Sequence, residues 1–174
     1  MWLFFCTAYL FATVEEWLFH KFMHLGNTNS IQRNHMIHHL QSSNVIKPTH
    51  NYAENICFDF KNWNELSQVI LFGFGNSVLL SAIFPTVSIY TVILTNSGLL
   101  AYNILAWNTY HSFIHGFDAF TLCGLKGIPR KYVPTQNIYS KWVIENHQTH
   151  HMYPTGNFNI VFPGADFIFM TYRT

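Results

Sequence analysis

Ten of the eleven histidines in this chain fall into four short clusters at helical spacing. Residues three and four positions apart on a helix share one face, with Cβ atoms about 5–6 Å apart, so we expect each cluster to direct its imidazole rings towards one point. Neutral imidazole is the commonest side-chain metal ligand. The clusters consist of His20 and His24; His35, His38 and His39; His111 and His115; and His147, His150 and His151.

The number of clustered histidines predicts two metal ions rather than one. Four ligands already complete a structural zinc site, whereas ten imidazoles divided over two ions give about five each and leave one position open on a six-coordinate ion. Imidazole suits iron, zinc, copper and nickel, and iron with an open position can bind and activate O2. His50 has no partner at helical spacing, and we predict that it is not a ligand.

Three carboxylates near the clusters are candidates for orienting the ligands, because a metal-bound histidine usually donates its second ring N–H to a nearby acceptor. Glu16 lies four residues before His20, Glu145 precedes His147, and Asp118 follows His115. The alternative for each is solvation at an interface or charge pairing along a helix.

Composition favours a single membrane-associated domain that covers residues 1–174. Charged residues make up 10% of the chain, against about 25% in soluble domains, and aromatic residues make up 18%. The net charge of +1 and the lack of a basic run give no reason to expect nucleic-acid binding.

The cysteines show no pairing signal. Cys6, Cys57 and Cys123 are odd in number, lie far apart and form no CxxC pair. We therefore expect three ordinary buried thiols in a reducing compartment.

Three apolar segments predict an all-α integral membrane domain of about three spans. They cover residues 1–19, 66–84 and 87–107, and the Pro85 turn makes the last two an antiparallel hairpin. The first segment is short for a span and lacks the features of a signal peptide. Residues 20–65 and 108–174 then form a histidine-rich helical region that caps the membrane domain.

This topology places all four clusters on one side of the membrane. All nine Lys and Arg residues fall in the two polar regions and none in the apolar segments. Under the positive-inside rule that side is the cytoplasm, and in a eukaryote we expect the endoplasmic reticulum.

The order of the motifs resembles the fatty acid hydroxylase / sterol desaturase superfamily of membrane di-iron enzymes. EEWLFHKFMH, RNHMIHH, NTYHSFIH and NHQTHH resemble its four histidine boxes, and GNFNIVFPGADFIFMTYRT resembles its closing segment. The matching residues of that last segment are Asn157, Phe158, Asp166, Phe169 and Thr171.

The resemblance implies two iron ions held by all ten clustered histidines and O2 as oxidant. It also implies a separate electron donor, such as cytochrome b5 with its reductase, because the chain contains no cytochrome b5 domain. The substrate would be a membrane lipid: a fatty acyl chain, a sphingolipid or a sterol. Zinc can occupy such imidazole sites in preparations.

Three features depart from the family pattern. A first membrane hairpin is missing, three residues separate His20 from His24 where close fatty acid 2-hydroxylase relatives often have four, and Met170 stands where the closing motif usually has Gly. These differences place the chain away from the best-characterised branches, so the motifs do not define its lipid.

Alternatives to hydroxylation remain open. Desaturation begins with the same hydrogen abstraction, so the motifs do not separate the two reactions. A metal transporter would place its ligands near the bilayer midplane, but the predicted hairpin contains neither a charge nor a histidine. A non-catalytic metal-binding relative is the third alternative, favoured by the missing span and opposed by the complete histidine set.

Overall fold

The computed structural model describes residues 1–26, 28, 30–42, 57–58 and 63–174. Within these ranges the chain forms helices and turns, with no strand. His50 lies outside the described residues, as does most of the loop predicted around it. The α-helices are α1 (Trp2–Met23), α2 (Ser30–Ser42), α3 (Trp63–Ile83), α4 (Ile89–Ile114), α5 (Ala119–Cys123), α6 (Ile138–Met152) and α7 (Ala165–Ile168).

Two long helices carry apolar sequence directly into a histidine cluster, as predicted. α1 includes His20 and ends at Met23, and His24 caps it: the N–H of His24 donates to the carbonyl of Lys21, and that of Leu25 donates to the carbonyl of Phe22. α4 likewise includes His111 and is capped by His115. The apolar parts of these helices therefore determine where two of the four clusters lie.

α3 and α4 lie side by side and are connected by a short turn that contains Pro85. Proline lacks a backbone N–H and cannot continue α3, and the N–H of Val87 closes the turn by donating to the carbonyl of Phe84 at 3.0 Å. By length and composition, α4 is the one helix in the described part of the chain able to cross a membrane, whereas α3 contains a shorter apolar stretch, Gly73–Ile83.

The main core lies between α1, α4, α6 and the segment that follows α6. Trp107 and Tyr110 of α4 pack there with Val143 of α6 and with Ile160 and Phe162. Burial of these large side chains holds together the helices that carry the histidines.

The C-terminal segment (residues 156–173) is attached to α1 by hydrogen bonds. The Thr13 hydroxyl donates to the carbonyl of Phe162 at 2.8 Å and accepts from the N–H of Ala165 at 2.9 Å. The Tyr9 hydroxyl donates to the carbonyl of Pro163 at 2.8 Å. The segment is thereby held beside the helix that supplies His20 and His24.

The prediction of three buried free thiols is wrong. Cys57 and Cys123 form a disulfide with a Cα–Cα distance of 5.7 Å, and Cys6 is a free but exposed thiol on α1. Sixty-six positions separate the bonded cysteines, so no local spacing signals the pair. The backbone N–H of Phe58, next to Cys57, donates to the Asn108 side chain at 2.7 Å and fixes this region against α4.

Candidate metal centre

The ten clustered histidines converge into two groups of five, and in each group the potential ligand atoms lie within 4.8 Å of one another. Helices α1, α2, α4 and α6 or their caps supply all of them. Group A consists of His20, His24, His35, His39 and His150. Group B consists of His38, His111, His115, His147 and His151.

The expectation that each cluster points to one place is wrong for the two HxxHH clusters. His35 and His39 of α2 belong to group A, but His38 belongs to group B. In α6, His150 belongs to group A while its neighbour His151 belongs to group B. Adjacent residues on a helix point about 100° apart, so one HxxHH motif serves two centres when it lies between them.

The spacing of the nitrogens fits the coordination shell of a metal ion. In group A, Nε2 of His24 lies 2.9 Å from Nε2 of His35 and 3.1 Å from Nε2 of His150. In group B, Nε2 of His147 lies 3.0 Å from that of His151 and 3.2 Å from that of His115.

Metal–nitrogen bonds of about 2.1 Å place neighbouring ligand atoms about 3 Å apart around an octahedral ion and about 3.4 Å apart around a tetrahedral one. The observed Nε2–Nε2 distances of 2.9–3.3 Å lie at or between these two values, so they fit ligands around one ion without selecting its geometry. Five nitrogens on a six-coordinate ion would leave one position free for a further ligand.

Backbone carbonyls determine the tautomers of two group A histidines. Nδ1 of His20 lies 2.7 Å from the carbonyl oxygen of Phe158, and Nδ1 of His150 lies 2.7 Å from that of Gly156. A carbonyl oxygen only accepts, so Nδ1 carries the proton in both rings, and in the neutral imidazole Nε2 then presents its lone pair. Both lone pairs point into group A, which favours a cation at its centre.

Burial favours the neutral, metal-binding form of histidines in both groups. It lowers the pKa of His24 to about 4 and, aided by nearby His111, that of His115 to about 2. Burial also lowers the pKa of His150 to about 3, against a smaller opposite effect of its bond to Gly156. At neutral pH, little proton release is therefore needed before a metal binds.

Glu16 is buried, and its hydrogen bonds go to the C-terminal segment. Its two carboxylate oxygens accept four hydrogen bonds from the C-terminal segment. The donors are the backbone N–H groups of Ile160 at 3.2 Å, Val161 at 2.7 Å and Phe162 at 2.8 Å, and the side-chain amide of Asn159 at 3.3 Å. Glu16 thus holds the segment whose Phe158 carbonyl orients His20.

The other two carboxylates proposed from the sequence lie away from the histidines. Glu145 is exposed on α6. Asp118 caps α5, where it accepts from the N–H of Thr121 at 3.1 Å, and it also accepts from the N–H of Arg130 at 2.8 Å. Neither bonds to a ligand ring within the described residues.

Sequence reasoning missed the carbonyls of Gly156 and Phe158 as the groups that orient histidines. Backbone acceptors have no residue signature, and the only available signal was the position of GNFN directly after the fourth cluster. Asp166 shapes that segment by accepting from the N–H groups of Phe158 at 2.9 Å and Asn159 at 2.6 Å.

Comparison of the chain with protein-family models, with curated proteins and with solved structures finds no match. The resemblance to the hydroxylase and desaturase superfamily therefore depends on the motifs, and the site is interpreted from its own geometry.

Proposed function

We propose that this chain is a membrane-bound oxygenase that uses two iron ions, O2 and an external electron donor to hydroxylate a C–H bond of a membrane lipid. The observation that carries the proposal is the division of ten histidines into two five-nitrogen groups, in each of which the ligand atoms lie within 4.8 Å of one another. A structural site needs only four ligands and has no use for a free position. Iron in both groups would supply the activation of O2 for attack on an unreactive C–H bond.

The surfaces of α1, α3 and α4 support a membrane location for these helices. Large apolar side chains are exposed along all three, and contiguous apolar surface of this kind marks a protein or lipid contact. Examples are Leu3 on α1, Leu71 and Phe74 on α3, and Tyr90 and Leu94 on α4. We propose that the three helices lie in the bilayer and that the histidine region faces the cytoplasm of the cell, at the endoplasmic reticulum in a eukaryote.

This placement would bring a lipid to the site without transfer through water. His24 and His115 lie at the ends of α1 and α4, so both groups would sit where these helices leave the bilayer. The chain's own contribution is to hold neutral imidazoles, to orient His20 and His150 through backbone carbonyls, and to exclude bulk water by burying the rings.

Mass spectrometry of lipids and metals tests the proposal. We would express the chain in membranes together with cytochrome b5 and its reductase, and compare it with His150→Ala and, as a matched control, His50→Ala. The intact chain and the control should bind two metal ions and add one oxygen atom to a lipid, whereas His150→Ala should lose metal and product together.

Two other outcomes would change the assignment. Loss of two hydrogen atoms from a lipid would identify a desaturase. Two bound iron ions without any lipid oxidation, in a host that supplies fatty acyl, sphingolipid and sterol substrates, would contradict the oxygenase proposal and favour a non-catalytic metal-binding protein.

A further inference from the structure

A cleft lies between α1, α3 and α4 and reaches His20 of group A. Apolar side chains form much of its wall, including Phe19, Leu99, Leu100 and Phe162. Its position and lining suit an alkyl chain with one end close to the histidines.

The cleft also contains polar side chains at the same depth as the membrane-capable part of α4. On that helix, Asn96, Asn103 and Trp107 lie seven and eleven residues apart, which places them on one face. On α1, Glu15 lies five residues before His20 and lines the same cleft. Polar side chains inside a membrane are costly and are usually paired or functional.

Most of these polar groups have partners within the protein. The Asn76 side chain donates to the carboxyl of Glu15, and the Asn96 amide donates to the Ser77 hydroxyl at 2.8 Å. Asn103 is different: it is half-buried, lines the cleft, and has no side-chain hydrogen bond to any described residue. Its amide therefore has donor and acceptor groups that none of the described residues pairs with.

The charges of the cleft favour a neutral ligand group. No lysine or arginine is among the described residues that line it, while Glu15 and Glu16 are acids there. A carboxylate or phosphate would enter without a cationic partner and beside these acids, whereas a hydroxyl or an amide can pair with the amide of Asn103.

We propose that the cleft binds the alkyl chain of the substrate and that Asn103, which lines the same cleft as Glu15, binds a neutral hydroxyl or amide on that chain. This inference rests on the proposed function, since it names the class of lipid that the same site takes. Glu15 precedes His20 by five helical residues, about 7.5 Å along the axis, and Asn103 precedes His111 by eight, about 12 Å. The neutral group would therefore be held at a fixed distance from the carbon exposed to the metals.

Binding measurements in detergent, with no turnover, test the inference. The probes are 1-octadecanol, octadecanamide, octadecanoate and octadecane, and their affinities would be measured by native mass spectrometry on metal-loaded protein. Octadecanol or octadecanamide should bind more tightly than octadecanoate. Asn103→Leu should weaken the better of these two about ten-fold, as expected for one hydrogen bond, and leave octadecane unchanged.

Two glycine variants distinguish loss of binding by filling the cleft from loss of binding by disturbance of the fold. A side chain at Gly73 would extend into the cleft, since Gly73 lines it and a Cβ there meets only Leu100, at 4.0 Å. Gly73→Leu should thus abolish binding of all four probes. Gly98→Leu, on an exposed part of α4 with open space around it, is the matched control and should bind as the unmodified chain does.

Equal or tighter binding of octadecanoate, unchanged affinities in Asn103→Leu, or full binding in Gly73→Leu would each overturn the inference. Metal content, measured in the same samples, shows that each variant has folded. Because binding is read without catalysis, a chain that binds these lipids but oxidises none would contradict only the proposed function.

Discussion

Replacement of Glu16 by glutamine tests how the histidine site is held in place. The two carboxylate oxygens accept four hydrogen bonds, one pair from Ile160 and Val161 and the other from Phe162 and Asn159. A glutamine amide has one accepting oxygen and one donating nitrogen, so either orientation leaves at least one backbone N–H facing a donor. A buried unsatisfied group costs about 1–3 kcal/mol, and loss of the negative charge weakens the remaining bonds. We expect Glu16→Gln to lower the free energy of unfolding by about 2–5 kcal/mol.

Glu16→Gln should also lower the metal affinity of group A, because Glu16 holds the backbone segment that orients His20. Loosening residues 158–162 displaces the Phe158 carbonyl, which accepts from Nδ1 of His20 at 2.7 Å. Loss of an orienting partner typically reduces metal affinity about 10–100-fold. Glu16→Gln should therefore release metal from group A at a lower chelator concentration than the unmodified chain.

Glu145→Gln is the matched control, because it makes the same chemical change on an exposed side chain beside the fourth cluster. Both variants would be purified in detergent, unfolded with urea after metal removal, and separately dialysed against graded chelator before metal analysis. If Glu16→Gln matched Glu145→Gln in unfolding free energy and in metal retention, the role assigned to Glu16 would be wrong.

Three further predictions concern the backbone, the disulfide and acid. Met170 has φ of 55° just after α7, and this backbone conformation favours glycine. Met170→Gly should therefore raise the free energy of unfolding, measured by urea titration, by about 0.5–1 kcal/mol, whereas Met170→Ala should not raise it. Cys57→Ser should lower the free energy of unfolding by about 4 kcal/mol under non-reducing conditions, because the disulfide closes a long loop. Adding a reductant to the unmodified chain should lower its free energy of unfolding to that of Cys57→Ser. The metal-free protein should lose stability as pH falls below about 6.5. The histidines of the unfolded chain take up protons there, while His24, His115 and His150 of the folded chain, with lowered pKa values, stay neutral until about pH 4 or below. Each of these histidines should lower the free energy of unfolding by up to about 1.4 kcal/mol per pH unit. A flat profile between pH 6.5 and 5 would contradict this.

Local sequence patterns were sufficient for the helices and for the set of clustered histidines. The three predicted apolar segments overlap α1, α3 and α4, although α1 and α4 extend beyond the predicted ends at residues 19 and 107 into the histidine clusters. Helical spacing alone identified all ten residues of groups A and B. Both signals depend on neighbours within one or two turns, which is the range that a sequence displays directly.

Contacts between distant segments could not be predicted in the same way. Glu16 was expected to orient a histidine side chain, but the structure places its carboxylate on the backbone of residues 160–162. The Cys57–Cys123 disulfide and the cleft around Asn103 likewise form from segments far apart in the chain. The disulfide matters for location too, because such bonds persist mainly in oxidising compartments, whereas the distribution of Lys and Arg favours the cytoplasm.

Met170, which departs from the motif that the closing segment resembles, has a structural explanation. The N–H of Thr171 donates to the carbonyl of Asp166 at 2.8 Å, the bond expected when a helix ends with a left-handed residue. Met170 is that residue, and it is almost fully exposed. The turn therefore needs the backbone conformation and not the side chain, so methionine is tolerated where glycine is preferred.

The division of the histidines makes the two halves of the chain depend on each other. The repeated order of an apolar helix, HxxxH and HxxHH would allow each half to build its own centre, but each half gives one histidine to the other. His38, from the first half, completes group B, and His150, from the second half, completes group A. With four ligands from one half and one from the other, neither five-nitrogen group forms until α2 and α6 meet, as they do at His39 and His150 and at His38 and His151. A metal bound at either centre would therefore stabilise the association of both halves, because it requires both to be in place.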